Sequence, residues 1–158
     1  MSVTIDGDAG ISKIAPGLAT TGPIFKATRA GGFNGSGTKV IVSDELFDSD
    51  NCYDPAIGRF TPTKAGYYLV TLAAGGNKNS SDTGWFFLKL YKNGVDTNSI
   101  LGSNTFYPIG NGGYFSCNGS TFIYMNGTTD YIEMYYISSG TFATIDQALF
   151  EACLVRSA

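Results

Sequence analysis

The chain has 158 residues, of which 15% are charged and 14% aromatic, with a net charge of -3. That length suits one domain with a sizeable core and is short for two. Charge falls well below the roughly 25% of ordinary domains, so a lone copy is expected to leave apolar surface in water, most simply covered by another copy of itself. With a pI near 4.7 and no run of Lys or Arg, the chain has no surface for neutralising phosphates, which excludes nucleic acid as a partner.

Residues 1–23 differ from the rest. Ser2 to Asp6 alternate briefly, then small residues with Pro16 and Pro23 take over. Such a segment cannot form a core alone; we expect an anchoring arm whose Val3, Ile5, Ile11, Ile14 and Leu18 dock on a partner or neighbouring subunit. It holds no apolar stretch long enough for a signal peptide or membrane span, which predicts a protein made and used in a cytoplasm, or released by lysis, and not inserted in a membrane.

From Ile24 the pattern becomes strands, and residues 24–158 form the predicted domain. Ile24–Thr28 and Thr38–Val42 read as strands around a Gly-rich loop, and Asp44–Asp54 as an acidic loop. The stretch Arg59–Leu72 reads as strand, turn at Pro62 and Gly66, then a strand apolar on both faces and therefore expected to be covered on both. Trp85–Tyr91 is a strand ending at Asn93-Gly94, the favoured two-residue hairpin turn. Ser99–Tyr107, Tyr114–Met125, Tyr131–Ile137 and Ala148–Val155 complete the set.

No window keeps apolar residues at helical spacing for three turns. The fold class is therefore all-β, a sandwich of about eight to ten antiparallel strands, with immunoglobulin-like and jelly-roll arrangements both open on pattern alone. Along Tyr131–Tyr136, Ile132, Met134 and Tyr136 face the core. The other face shows Tyr131, Glu133 and Tyr135, two tyrosines flanking a carboxylate, which suits a contact between subunits.

Catalytic chemistry finds little footing. There is no histidine, which removes Ser-His and Cys-His pairs and the commonest metal ligand; we expect no enzyme. Cys52, Cys117 and Cys153 are odd in number and widely spaced, and read as buried free thiols. Gly32–Lys39 only superficially resembles a phosphate loop, because Gly-Lys-Ser/Thr is missing in that order and no helix follows. Asp44, Glu45, Asp48, Asp50 and Asp54 would be the ligands for calcium if any cofactor bound. The Glu that an EF-hand needs at its twelfth position is instead Arg59 when counting starts at Asp48.

Several motifs together resemble a known family. Phe47-Asp48, Tyr53-Asp54-Pro55, Gly58-Arg59-Phe60-Thr61, Ala65-Gly66-Tyr67-Tyr68 and Tyr91-Lys92-Asn93-Gly94 are similar to the globular head of complement component one-q, a jelly roll shared with tumour necrosis factor. Arg59–Thr63, Asn126–Tyr131 and Leu154-Val155-Arg156 look like the version carried by bacteriophage virion proteins, and Val3–Gly7 looks like the opening of phage appendage proteins. The resemblance implies a ten-stranded jelly roll assembled as a tight homotrimer, located in a virion and made in the host cytoplasm. No collagen-like repeat precedes the head and no fibrous shaft is present. The expectation is a trimeric capsid decoration (cement) knob held by its arm to the major capsid protein or another virion component. The alternative is a recognition module at a tail or fibre tip, binding a host surface glycan or protein through loop aromatics such as Phe33, Phe106, Tyr107 and Phe142.

Overall fold

Alternation of apolar and polar side chains drives the chain into strands, and a computed structural model describes residues 22–33, 37–77, 84–106, 114–139 and 145–158. The strands in chain order are β1 (Ile24–Phe33), β2 (Thr38–Lys39), β3 (Asp44–Asp48), β4 (Tyr53–Asp54), β5 (Arg59–Phe60), β6 (Ala65–Asn77), β7 (Gly84–Lys92), β8 (Val95–Phe106), β9 (Tyr114–Asn126), β10 (Ile132–Ser138) and β11 (Ile145–Ser157). Two antiparallel sheets face each other. One runs β3-β1-β11-β6-β9, the other β4-β5-β10-β7-β8, with β2 pairing alongside β10. The described residues contain no helix.

The core fills the space between the sheets. Phe25 stacks on Tyr53 and Phe60 with ring centroids 4.5 Å apart in each case, and Phe150 meets Phe25 edge-on at 4.9 Å. Phe86, Phe115 and Tyr136 form a second aromatic group. Buried phenols reach backbone acceptors, as such groups must: Tyr53 Oη donates to the Val42 carbonyl at 2.6 Å and Tyr68 Oη to the Lys64 carbonyl at 2.8 Å. Burial pushes both phenols well above their usual range.

Several sequence expectations change in detail. The eleven strands of the described residues exceed the eight to ten expected because β2, β4 and β5 are two-residue pieces. Asp44–Asp54 is not one loop, since Asp44–Asp48 pairs with β1 and Tyr53–Asp54 with β5. Of Thr38–Val42 only the first two residues join a sheet; Val40 and Val42 are nonetheless fully buried. The Asn93-Gly94 turn closes the β7–β8 hairpin with φ of 54° and 79°, the left-handed values that the dipeptide favours. Gly66 is needed for space rather than conformational freedom: a Cβ there would lie 2.3 Å from the Arg156 carbonyl oxygen across the β6–β11 ladder. The arm residues Val3, Ile5, Ile11, Ile14 and Leu18 lie outside the described residues. The Pro23 carbonyl accepts from Leu154 N at 3.1 Å.

Candidate assembly surface

Strand β6 turns Tyr68, Val70 and Leu72 into the core and Tyr67, Leu69 and Thr71 outward. Among the described residues the expectation that both faces are covered is not met: Tyr67 is half exposed, and Leu69 and Thr71 are only partly buried. Register carries this outward face across the sheet. Tyr124 stands opposite Tyr67, their rings meeting edge-on at 5.5 Å. The next row reads Phe122, Leu69, Cys153 and Ile24; the one beyond it reads Ser120, Thr71, Glu151, Lys26 and Phe47. Further along, side chains shrink and become polar: Asn118, Ala73, Leu149 and Thr28, then Ser116, Gly75, Gln147 and Ala30.

One face thus has an aromatic end and a small, polar end. Phe122 is 63% exposed on edge strand β9, and Tyr124, Tyr67, Ile24 and Phe47 are each about half exposed. Toward the opposite edge of the same face, Ile24, Phe47, Leu69, Thr71, Glu151 and Cys153 line a hollow of about 180 Å³. The polar end holds a wider depression of about 430 Å³ over Ala73, Gly75, Ser116 and Gln147. Charge is sparse: Lys26 and Glu151 meet at 3.5 Å, each side chain more than a third exposed.

The contact face expected from sequence lies on the other sheet. Tyr131, Glu133 and Tyr135 do point away from the core, but their own chain covers them. Glu133 is 3% exposed, and its Oε1 accepts from Lys39 Nζ at 3.0 Å and Arg59 Nε at 2.9 Å. The Arg59 guanidinium lies 3.8 Å from the Tyr131 ring centroid, and Tyr135 stacks on Tyr91 at 3.9 Å. Alternation along β10 reveals which way Glu133 points. It does not reveal that β2 and β5, pairing with that strand from far away in sequence, bring two cations over it.

The remaining candidates are dispersed. Phe33 and Phe106 are the last residues of β1 and β8 rather than loop residues, and Tyr107 and Phe142 lie outside the described residues. Two of the acidic side chains serve the backbone, Asp48 Oδ2 accepting from Tyr53 N at 2.6 Å and Asp54 Oδ1 from Ala56 N at 3.0 Å, while Asp44 and Asp50 accept from the Ser43 and Ser49 hydroxyls. Among the described residues no three acidic, His or Cys side chains come together as metal ligands. The three cysteines are unpaired, and burial pushes the Cys117 thiol up to about 12.

The sequence matches no family model and no curated protein. Solved structures are similar in fold. The globular domain of zebrafish complement 1qA protein superposes with a TM-score of 0.64 at 17% identity, covering 87% of this chain and 99% of that one. Eiger TNF from S. frugiperda superposes with a TM-score of 0.57 at 13% identity, covering 86% and 95%. The chain shares their jelly-roll sandwich.

Proposed function

We propose that this protein is a structural component of a bacteriophage virion, a three-membered knob assembled through the outer face of β3-β1-β11-β6-β9 and fixed to the particle by residues 1–23. The observation that carries the assembly is the distribution of shape on that face. Phe122 and Tyr124 protrude at one edge, while the hollow between Ile24, Phe47 and Leu69 lies toward the other. A knob and a hole on different patches suit a head-to-tail contact, which forms a ring where the rotation between subunits closes. The family resemblance supplies the number three.

Fully burying one large apolar side chain is worth about 1.5–3 kcal/mol. Phe122, Tyr124, Tyr67, Ile24 and Phe47 are already about half buried in one subunit, so covering the rest gives roughly half of that each and offsets part of an association cost of roughly 4–15 kcal/mol. The virion role rests on the phage-like motifs Arg59–Thr63, Asn126–Tyr131 and Leu154–Arg156. Between sites on the particle, the reading adopted is capsid decoration, where the knob would bridge neighbouring capsid subunits.

Light scattering on dilute protein tests the assembly: a mass of three subunits is expected, and a stable species of 16.7 kDa would overturn it. Imaging of particles with and without the protein tests the location. Loss of surface knobs together with lower heat resistance of the shell is expected; an unchanged particle contradicts the role.

A further inference from the structure

We infer that the outer face of the second sheet carries a binding site for a neutral saccharide, centred on Trp85. The single tryptophan of the chain is not in the core: it points outward from β7 and remains 37% exposed. Its ring stacks on that of Phe87, with centroids 4.7 Å apart and planes inclined by 24°. Directly across on edge strand β8 stand Thr105 beside Trp85 and Ser103 beside Phe87, both exposed. On the other flank lie Ile137, opposite Phe87, and Ser139, whose hydroxyl accepts from Trp85 N at 3.1 Å.

The shelf is therefore two stacked rings bordered by three hydroxyl groups. The next outward residue of β7, Lys89, is paired with Asp96, so no unpaired charge of that strand adjoins the rings. This chemistry suits one class of ligand. A pyranose offers an apolar C–H face for an exposed ring and hydroxyls for neutral donors and acceptors, whereas a phosphate or acidic peptide would find no unpaired cation on the described residues of that strand. Size points the same way, because six residues fall far short of the roughly 20–30 per side in a stable protein interface. The site is distinct from the loop aromatics considered above. It lies on the sheet opposite the proposed assembly face, stays open in a ring, and does not depend on that reading.

Because Trp85 is the only tryptophan, its emission reports on its own surroundings. Neutral oligosaccharides of glucose, galactose and N-acetylglucosamine are titrated into the intact protein. At least one should change the emission saturably, with a Kd tighter than about 1 mM. By calorimetry, Trp85→Ala should weaken that binding at least about tenfold, as loss of a central aromatic does. Thr105→Val, which keeps the rings, should weaken it roughly two- to tenfold. No saturable change with any sugar, or unaltered affinity in Trp85→Ala and Thr105→Val, overturns the site. Mass measured on the same samples separates the two readings: intact assemblies without sugar binding remove this site alone.

Discussion

The two sheets present outer faces made from similar residues and solved in opposite ways. On β10 and its neighbours, tyrosines alternate with charges, and every outward group of the row at Glu133 has a partner in its own chain: Lys39 and Arg59 on the carboxylate, Arg59 on Tyr131, Tyr91 on Tyr135. On β6 and β9, tyrosine and phenylalanine stand out, Tyr67 and Tyr124 meeting each other with Lys92 over the Tyr124 ring and Phe122 left 63% exposed. A tyrosine-rich strand is thus no sign of an interface by itself. What matters is whether neighbouring strands bring charge and rings to cover it, as the described residues do at Glu133 and do not at Tyr67 and Phe122.

The largest effect that sharpens this contrast is expected from Phe122→Glu or Tyr124→Glu. Either places a carboxylate in the contact and removes an aromatic anchor, which should weaken association by about two to three orders of magnitude. Light scattering should show the single subunit. Tyr135→Ala or Tyr131→Ala should lower the melting temperature and leave the mass alone. Dissociation by Tyr135→Ala with none by Phe122→Glu would reverse the assignment of the faces.

Next comes the ion cluster of the covered face. Glu133→Gln leaves Lys39 and Arg59 without a counter-charge. Breaking a fully buried pair costs about 3–5 kcal/mol, but these cations are a quarter to a third exposed, so about 2 kcal/mol is expected from urea midpoints. Adding Lys39→Met to that variant should cost less than the two changes separately.

These residues also mark what was legible beforehand. Alternation was enough for strand identity and for the inward set Ile132, Met134 and Tyr136, because period two depends only on the local backbone. Asn93-Gly94 announced its hairpin for the same reason. The covering of Glu133 was not legible, since Lys39 and Arg59 are 94 and 74 residues away and only sheet order brings them together. Nor was the open face: Tyr67, Leu69 and Thr71 look like the outer half of a doubly covered strand, yet among the described residues no second layer lies over them. Trp85 was hidden by its apolar neighbours, as an outward tryptophan within Trp85–Leu88 reads like any core residue.

A smaller effect, confined to acid, is expected at the joint between the β7–β8 and β9–β10 turns. Asp130 accepts from Asn93 Nδ2 at 2.8 Å and Asn126 N at 3.0 Å, and pairs with Lys92 at 2.7 Å. Burial works to raise its carboxyl, but the bonds from Lys92, Asn93 and Asn126 outweigh it and hold the group below the ordinary 3.8. A depressed folded value means stability fully present above the unfolded value and lost as pH falls through the folded one. Asp130→Asn should therefore cost about 1 kcal/mol at neutral pH, with the gap to the parent closing in urea titrations below about pH 4.

The smallest change asks whether the open face closes in the assembly. Lys26 and Glu151 are each more than a third exposed in a single subunit, and such pairs contribute under about 1 kcal/mol. In the dissociated Phe122→Glu background, Lys26→Gln should be nearly silent. If the parent assembles through this face, the same change would leave Glu151 unpaired beneath a neighbouring subunit, where water no longer screens it, and its cost should rise several-fold. Urea midpoints of Lys26→Gln in both backgrounds measure the difference. Equal costs would mean that the row from Ser120 to Phe47 stays wet, and would confine the contact to the aromatic rows at Tyr67, Tyr124 and Phe122.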